Sequence, residues 1–320
     1  MKKIGGFFEL EIAEGKSLFH DDAIKLSTGR ACLNLILQTK KYSKVYLPFY
    51  CCDALFEPLD LHGISYKFYA INEQLEIGKN IDLKSDEAII YCNFFGIKSN
   101  YVNQLIKIYK NQLIIDNSHA FFIKGYKNNI SYTTARKYFG VPDGAFLYYP
   151  KKEIVLNLKR NIKVSVDHNL NRLLGLQETS YQEFVNYEES IDSTINKISI
   201  VSEKILRTVN YSAIIEKRNR NYKLYKEELK GLNKIRIDDN AINCFCYPLL
   251  LDKPLEKQEL YDENFFIPSY WLDVVKRNNN DKFQFENKLS KDLLPLPIDH
   301  RYTKEDLMRV INFIKKRRNE

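Results

Sequence analysis

The chain has 320 residues, of which 44% are hydrophobic and 13% aromatic, so it holds enough apolar side chains for one large or two modest domains. That composition excludes a disordered chain, and no run of about eighteen apolar residues indicates a membrane-spanning helix. The net charge of +8 comes from 49 basic and 41 acidic residues that are scattered, apart from a basic run at 315–318. No nucleic-acid motif accompanies that run, so we expect neither nucleic acid nor a membrane as partner.

Two features indicate a cytoplasmic protein. Residues 1–6 include two lysines, but no apolar run of signal-peptide length follows them. The six cysteines form no CxxC pair of the kind that holds zinc or acts as a redox couple, so we expect reduced structural thiols and no metal site. They are Cys32, Cys51, Cys52, Cys92, Cys244 and Cys246.

Short apolar strands alternate with helical patterns through the first 150 residues. Strands are predicted at 24–26, 45–47, 65–70, 88–93, 113–116, 130–135 and 145–150. Apolar residues recur at spacings of three and four in the segments 31–38, 53–61 and 101–110, which predicts helices there. This alternation favours an α/β fold with a mostly parallel seven-stranded sheet covered by helices. Ligands of such sheets bind beyond the carboxyl ends of the strands.

The pattern changes at about residue 156. Longer, charged helices are predicted at 181–187, 195–209 and 214–232, and they are expected to form a layer that trails the sheet. Strands are then predicted at 234–237 and 244–251. The final predicted helix, 303–317, begins with Thr303 and Asp306 in a capping-box arrangement. We therefore predict a large α/β domain over 1–230 and a smaller C-terminal α+β domain over 231–320.

Asp116 comes at the end of a predicted buried strand. A carboxylate in that position is costly to keep ionised unless a cation meets it. The alternative is an ordinary helix-capping or turn aspartate. The residue therefore either needs a cationic partner or has a local structural role.

Lys137 follows the next predicted strand and precedes a Gly-Val-Pro-Asp-Gly turn. It is either a surface lysine beside Arg136 or an amine held near the edge of the sheet by that tight turn. A partly desolvated lysine near another cation has a lowered pKa and can act as a nucleophile. Arg136 would be that cation.

Ser27, Thr28, Gly29 and Arg30 lie between the first predicted strand and the helix that follows it. Hydroxyls and free N–H groups at a helix start favour an anion, and an arginine can add a bidentate phosphate contact, although Ser-Thr-Gly is also an ordinary helix cap.

An anion site, a strand-end carboxylate and a strand-end lysine occur here in the order that pyridoxal phosphate requires. The cofactor needs a phosphate site, a counter-charge for its pyridine nitrogen and an amine that forms an imine. An ion pair at about 4 Å and an effective dielectric near 20 contributes roughly 4 kcal/mol before desolvation, which is enough to hold the pyridine proton.

Seven segments also resemble one family of known proteins, the DegT/DnrJ/EryC1/StrS sugar aminotransferases, which are fold-type I PLP-dependent enzymes. They span nearly the whole chain and read LSTGRACLNLIL, KVYLPFYCCDALFEPLDLHGISYKFYAI, IIYCNFFGI, LIIDNSHAFF, ARKYFGVPDGAF, RNRNYKLYKEEL and LPLPIDHRYTKEDLMRVINFI. The resemblance implies that Lys137 binds the cofactor as a Schiff base. Asp116 would pair with the pyridine nitrogen, and His119 would lie close to the ring oxygen.

The same resemblance implies further cofactor contacts. The candidates are Thr28, Gly29, Arg30, Cys52, Ser131 and Thr134. Arg30 replaces a hydroxyl of the family's phosphate cup, and Cys52 stands where the family has an aromatic residue stacked on the cofactor ring. The hydroxyl usually found five residues before the lysine falls on Tyr132, which leaves Ser131 and Thr134 as neighbouring candidates.

The function implied by the resemblance is transfer of an amino group from glutamate or glutamine to a nucleotide-linked keto sugar, in surface polysaccharide biosynthesis. The enzyme would be a homodimer with its site at the interface. Two alternatives stay open: a PLP-fold protein with another reaction, such as sugar dehydration, or with a binding role only, and a binding module for an anionic partner. Lys137 argues against the family's dehydratases, which lack that lysine.

Overall fold

Seven strands form one sheet in the computed structural model, which describes residues 4–150, 157–238, 240–277 and 281–319. The strands are β1 (Ile24–Leu26), β2 (Lys44–Pro48), β3 (Ser65–Tyr69), β4 (Glu87–Cys92), β5 (Leu113–Asp116), β6 (Ile130–Thr134) and β7 (Ala145–Tyr148). Their order in the sheet is β1-β7-β6-β5-β4-β2-β3. Strand β7 pairs antiparallel with β1 and β6, and the other neighbours are parallel. The predicted mostly parallel sheet is confirmed.

The central strands are buried along their length, as a parallel sheet with a covering layer on each face requires. All six residues of β4 are buried, and so are the three apolar residues of β5. Helices α1 (Gly29–Thr39), α2 (Phe56–Leu61) and α3 (Ser99–Tyr109) connect the strands. Seven consecutive residues of α1, 31–37, are buried, so this helix lies deep against the sheet.

One edge of the sheet collects the ends of several strands. Strands β2, β4, β5 and β6 are parallel, so their carboxyl ends meet there. Strand β1 runs in the same direction as β6, because each pairs antiparallel with β7. Helix α1 therefore begins at this edge too. The N–H of Gly144 donates to the carbonyl of Ser27 at 2.6 Å and ties the turn before β7 to the start of α1.

The second half of the chain is mainly helical. Its helices are α4 (Asp167–Leu173), α5 (Gln177–Ser190), α6 (Ile200–Thr208), α7 (Tyr211–Leu229), α8 (Lys257–Asp262), α9 (Asp273–Lys276), α10 (Gln284–Asp292) and α11 (Lys304–Asn319). Strands β8 (Cys246–Leu249) and β9 (Leu294–Pro297) form a second, antiparallel sheet. One cluster of buried apolar residues runs from the large sheet through α7 to β8, β9 and α11. The predicted domain boundary after residue 230 stays a prediction, and the pattern change at 156 lies outside the described residues.

The strand predicted at 234–237 is wrong. The Asn233 side chain accepts hydrogen bonds from the N–H groups of Ile235 and Leu250, both at 3.0 Å, so a side chain satisfies backbone groups that a strand ladder would use. The partner of β8 is the Leu-Pro-Leu-Pro segment of β9 instead. Proline is rare inside strands, so that segment gives no strand signal in the sequence.

The last helix begins as predicted. The Thr303 hydroxyl accepts the N–H of Asp306 at 3.3 Å, and the Asp306 carboxylate accepts the N–H of Thr303 at 2.9 Å. Among the described residues, no helix combines the length and apolar character needed to cross a bilayer. Nor do three or more His, Cys, Asp or Glu side chains in the described ranges come together as a metal-binding group. All six cysteines are free thiols.

Candidate active site

Asp116 is the last residue of β5 and lies at the edge where the parallel strands end. Its Oδ1 accepts the N–H of Ser118 at 2.8 Å, and the Cys92 thiol faces Oδ2 at 3.9 Å. Burial raises the pKa of the Asp116 carboxyl above its usual value, whereas hydrogen bonds from Ser118 and the positive charge of Lys137 lower it. The Tyr132 hydroxyl also lowers the pKa of this half-buried carboxyl, so its donors come from Ser118 and Tyr132.

His119 is 4% exposed and lies in the turn after β5. Its Nδ1 accepts the N–H of Phe95 at 3.3 Å, so the proton of the neutral ring is assigned to Nε2. Burial lowers the pKa of His119 well below its ordinary value, and the charge of Lys137 lowers it further, so the ring is neutral. Buried Nε2 has no hydrogen-bond partner among the residues that the structure describes. A neutral N–H donor is therefore available at the sheet edge.

Lys137 is exposed and lies in a tight turn between β6 and β7. The turn is closed by the N–H of Ala135, which donates to the Gly144 carbonyl at 2.9 Å. Gly144 has φ +119, and a Cβ there would lie 2.9 Å from Ile198, so only glycine fits. The Lys137 charge acts on both Asp116 and His119. The structure therefore brings these three predicted residues together.

Arg136, the proposed neighbouring cation of the lysine, is otherwise engaged. Its guanidinium bonds the Glu188 carboxylate and lies 5.4 Å from the centre of the Tyr187 ring. The positive charge of Arg136 is therefore paired with a carboxylate on α5. It is not an unpaired cation that would lower the pKa of a neighbouring lysine.

The start of α1 lies against the end of β6. Thr28 caps the helix, because its hydroxyl accepts the N–H of Ala31 at 2.9 Å. A Cβ on Gly29 would lie 3.2 Å from Cγ2 of Thr134, so glycine permits this close approach. The first N–H groups of a helix have no carbonyl partner within it, and they favour an anion at this point.

The Arg30 side chain is directed away from the start of the helix. Its guanidinium donates to the Ile191 carbonyl and lies 3.9 Å from the Glu57 carboxylate. Only the Arg30 backbone N–H, at the start of α1, is left to face an anion there. This direction of the Arg30 side chain does not support the predicted bidentate contact between its guanidinium and a phosphate.

The remaining predicted candidates include two hydroxyls of β6. Ser131 Oγ and Thr134 Oγ1 are buried, and across the described ranges neither has a hydrogen-bond partner. Cys52 is exposed in the loop after β2, and it is close enough to Cys92 to affect the pKa of that buried thiol. Thr134, the last residue of β6, and Cys52 thus lie around the same strand ends as Asp116, whereas Ser131 is the second residue of β6 and faces the opposite side of the sheet from Thr134.

Three aromatic residues that are not among the predicted site residues also lie here. The His119 ring is near-parallel to Phe245, with centroids 4.5 Å apart, and to Trp271, with centroids 5.3 Å apart. The Lys137 ammonium lies 5.8 Å from the centre of the Tyr270 ring. These aromatic residues come from the C-terminal part, more than a hundred positions along the chain. No local motif marks them, so sequence reasoning had no signal for them.

The chain is similar to known proteins in its structure but not in its sequence. No family model and no curated protein matches the sequence. A DegT DnrJ EryC1 StrS aminotransferase from Brucella abortus is similar in structure, with a TM-score of 0.64 at 17% identity over 92% of this chain and 85% of that one. The sugar aminotransferase CalS13 from Micromonospora echinospora has a TM-score of 0.60 at 14% identity, over 93% of this chain and 88% of that one.

A third similar structure is NtdA from Bacillus subtilis with bound cofactor PMP. Its TM-score is 0.64 at 14% identity, over 92% of this chain and 72% of that one. Such similarities at low identity establish the fold. The chain therefore has the α/β fold of the solved DegT/DnrJ/EryC1/StrS aminotransferases, as its sequence segments predict.

Proposed function

We propose that this chain is a PLP-dependent aminotransferase that acts on a keto sugar. The main support is the convergence of a lysine, a carboxylate and a neutral histidine at the carboxyl edge of the sheet. The Lys137 ammonium lies 5.8 Å from the centre of the Tyr270 ring, which is 5.6 Å from the His119 ring, and Asp116 ends the strand that leads to His119. The fold of solved sugar aminotransferases supports the same conclusion.

The polar atoms at this edge fit pyridoxal phosphate. Buried Nε2 of His119 is an unpartnered donor among the described residues and would bond the ring oxygen. Asp116 would face the ring nitrogen. The hydroxyl of Thr134, which lies beside Gly29, together with the start of α1 would hold the phosphate. When bound, pyridoxal phosphate supplies an aldehyde for an amine and a ring that accepts electrons.

Lys137 is the residue that would bind the cofactor and move a proton. Its side chain is flexible and exposed, so its amine can approach the cofactor and withdraw when an amino donor takes its place. Once released, the amine would take up a proton as general base, and its protonated form would give the proton back as general acid. The nearby Tyr270 ring offers the ammonium a second position.

The finer assignments are a glutamate or glutamine donor, a nucleotide-linked sugar and a role in surface polysaccharide biosynthesis. Two similar structures are named as sugar enzymes or as holding PMP, which supports a sugar acceptor and amino transfer. The net charge of +8 favours anionic substrates such as a nucleotide-linked sugar or a dicarboxylate.

We also expect a homodimer. Helices α4 and α5 and the connection between them expose large apolar side chains, including Leu173 at 82%, Leu174 at 72% and Tyr181 at 69%. Exposed apolar patches of this kind mark interaction surfaces, and a second copy of the chain would cover them. Light scattering after size-exclusion chromatography tests this, and Leu173→Asp should produce monomers. A wild-type protein that elutes as a monomer would contradict the expectation.

Two further assignments complete the proposal. Six free cysteines are expected in a reducing compartment and support a cytoplasmic location. A domain boundary between residues 230 and 231 is also part of the proposal. Helix α7 ends at Leu229, and both strands of the second sheet come after it, which supports that boundary. Limited proteolysis with cleavage near 231 would test that boundary.

A covalent trapping experiment tests the cofactor assignment. Protein incubated with pyridoxal phosphate is reduced with borohydride, digested and analysed by mass spectrometry. We expect the pyridoxyl group on Lys137 and its loss in Lys137→Ala, whereas Lys127→Ala, which removes an exposed lysine of the same segment, keeps the adduct. An adduct that persists in Lys137→Ala or lies on another lysine would show the assignment to be wrong.

The visible spectrum then tests transamination. Glutamate added to the PLP-loaded protein should convert the aldehyde form of the cofactor to the amine form, and a keto sugar should convert it back. Binding without this conversion would favour the alternative, a PLP-fold protein with another reaction. A colourless protein that retains nucleic acid in high salt would favour the anion-binding module.

A further inference from the structure

Trp271 comes from the C-terminal part and contacts the histidine of the candidate site. We propose that Trp271 is a positioning residue for His119: it holds the imidazole so that Nε2–H faces the bound cofactor. This inference rests on the proposed function. It adds a residue that no family segment in the sequence includes, because Trp271 lies between the late-helix and Leu-Pro segments.

The ring geometry carries the first step. The indole and the imidazole are 5° from parallel with centroids 5.3 Å apart. Edge-to-face contacts with Tyr50, at 4.5 Å and 78°, and with Phe94, at 6.0 Å and 71°, fix the plane of the indole. Tyr50 and Phe94 are fully buried, so neither can yield easily. The orientation of His119 is therefore set largely by rings rather than by hydrogen bonds, since only Nδ1 has a bond.

The backbone at Trp271 carries the second step. Trp271 has φ +57, a left-handed conformation that is unfavourable for a bulky residue. Two hydrogen bonds to its carbonyl hold it there, from the Ser290 hydroxyl at 2.8 Å and from the N–H of Val274 at 3.0 Å. Strained backbone persists only where the surroundings impose it, and it is frequent at functional sites. The turn delivers the indole to the sheet edge.

The segment 270–277, which includes Trp271, contacts the candidate site at two more points. Tyr270, the preceding residue, lies beneath the Lys137 ammonium at 5.8 Å. Arg277, six positions after Trp271, bonds the carbonyls of Phe49 and Cys51 and the Asp53 carboxylate, and so fixes the loop that carries Cys52. The segment 270–277 thus contacts the lysine, the histidine and the loop after β2. Trp271 belongs to the site and is more than a packing residue.

The experiment compares Trp271→Leu, which removes the ring, with Trp271→Phe, which keeps an aromatic face. Phe266→Leu is the matched control, because Phe266 is an exposed aromatic residue of the same region. The first readout is the imidazole NMR signal of His119 in cofactor-free protein, assigned with His119→Gln. We expect it to shift in Trp271→Leu, through loss of the ring current, and to stay unchanged in Phe266→Leu.

The second readout is binding of pyridoxal phosphate, followed by absorption. We expect affinity to fall about three- to tenfold in Trp271→Leu, and Trp271→Phe to stay within about twofold of wild type. Trp271 is the only tryptophan, and pyridoxal phosphate absorbs where tryptophan emits, so binding should also quench the fluorescence of the wild type. A residue with a structural role only would lower the melting temperature without changing the cofactor affinity of the folded protein.

Two outcomes overturn the inference. One is a His119 signal that is the same in Trp271→Leu and wild type, and the other is unchanged cofactor affinity in a folded Trp271→Leu. If the wild type binds no pyridoxal phosphate, the proposed function is wrong, and the NMR signal still decides whether Trp271 holds His119. If Trp271→Leu does not fold, the wild type and Trp271→Phe are measured instead. The inference is overturned if cofactor binding does not quench the tryptophan fluorescence of the wild type. It is also overturned if Trp271→Phe loses tenfold in affinity for pyridoxal phosphate.

Discussion

Two aspartates, Asp143 in the turn before β7 and Asp116 at the end of β5, have very different surroundings. Asp143, which is 1% exposed, accepts hydrogen bonds from the Ser199 N–H at 2.9 Å, the Ser199 hydroxyl at 2.6 Å, the Ser202 hydroxyl at 2.5 Å and the Asn161 amide at 3.0 Å. Asp116 accepts one backbone N–H at 2.8 Å and faces a thiol at 3.9 Å, and the Ser118 and Tyr132 hydroxyls lower the pKa of its carboxyl. The first carboxylate thus has four donors within 3.0 Å, and the second has a weaker set.

Two buried histidines repeat the contrast. His20 bonds the Tyr148 hydroxyl through Nδ1 at 2.7 Å and the Phe121 carbonyl through Nε2 at 2.6 Å. His119 uses only Nδ1. Buried polar groups are normally satisfied, so an incomplete set at one location marks a place for a ligand. Asp143 and His20 belong to the scaffold, whereas the proposed function assigns Asp116 and His119 to the binding of a cofactor.

The largest effect is expected at Asp143. Replacing it with alanine leaves several buried donors unpaired, so the free energy of unfolding should fall by about 4 kcal/mol, and by about half as much in Asp143→Asn. Urea denaturation measures this. Asp82→Ala, at an exposed position, is the control and should stay within about 0.5 kcal/mol of wild type. Equal losses in Asp143→Ala and Asp82→Ala would remove the distinction between the two aspartates.

The scaffold histidine should be visible in the pH dependence of stability. Burial lowers the pKa of His20 from 6.5 to about 4. Between pH 6.5 and pH 4, therefore, His20 is protonated in the unfolded chain and neutral in the folded chain. Stability attributable to His20 should be full above pH 6.5 and fall by roughly 3 kcal/mol as the pH drops to 4, at about 1.4 kcal/mol per unit. Denaturation at several pH values should show a shallower acid loss in His20→Gln. An identical slope in both proteins would refute this.

Asp116 should show the reverse of Asp143. Burial raises the pKa of its carboxyl, which means that the charged form is disfavoured in the fold. We therefore expect Asp116→Asn to keep the free energy of unfolding within about 1 kcal/mol of wild type. Its affinity for pyridoxal phosphate should fall on the order of a hundredfold, because the ring nitrogen loses its counter-charge. Titration by absorption measures the affinity, and a stability loss as large as in Asp143→Asn would contradict the comparison.

The smallest effect is expected at Thr28, whose hydroxyl is already used by the scaffold. Thr28→Ala removes the cap of α1 and should lower the free energy of unfolding by about 1 kcal/mol, while Thr28→Ser keeps the cap and the stability. Thermal melts distinguish the two variants. If Thr28→Ala lowers cofactor affinity without lowering stability, the hydroxyl serves the anion instead.

Much of the fold could be predicted from the sequence, because each strand of the large sheet is a short apolar run between turn residues. The predicted 24–26 and 113–116 coincide with β1 and β5, and the other five strands of that sheet differ by only a few residues. Strand β9 could not be predicted, because it contains two prolines and proline is rare inside strands. The strand predicted at 234–237 failed because one asparagine side chain satisfies the backbone there.

The candidate site divides in the same way. Its strand-end members, Asp116 and Lys137, could be proposed from the sequence, because polar residues after buried strands of a parallel sheet must share one edge. Their roles stay predictions. The direction of the Arg30 side chain could not be predicted, because it depends on Glu57 and Ile191, which are distant along the chain.

The sequence by itself determined the parallel sheet, the edge at which its polar strand ends meet and the order along the chain of the α1 start, Asp116 and Lys137. These follow from local periodicity and from chain direction, which short segments carry. Only the tertiary structure decided which buried polar groups are satisfied and which rings surround His119. Those contacts join residues from different elements, some of them more than a hundred positions apart, such as Trp271 and His119, and packing rather than any local pattern determines them.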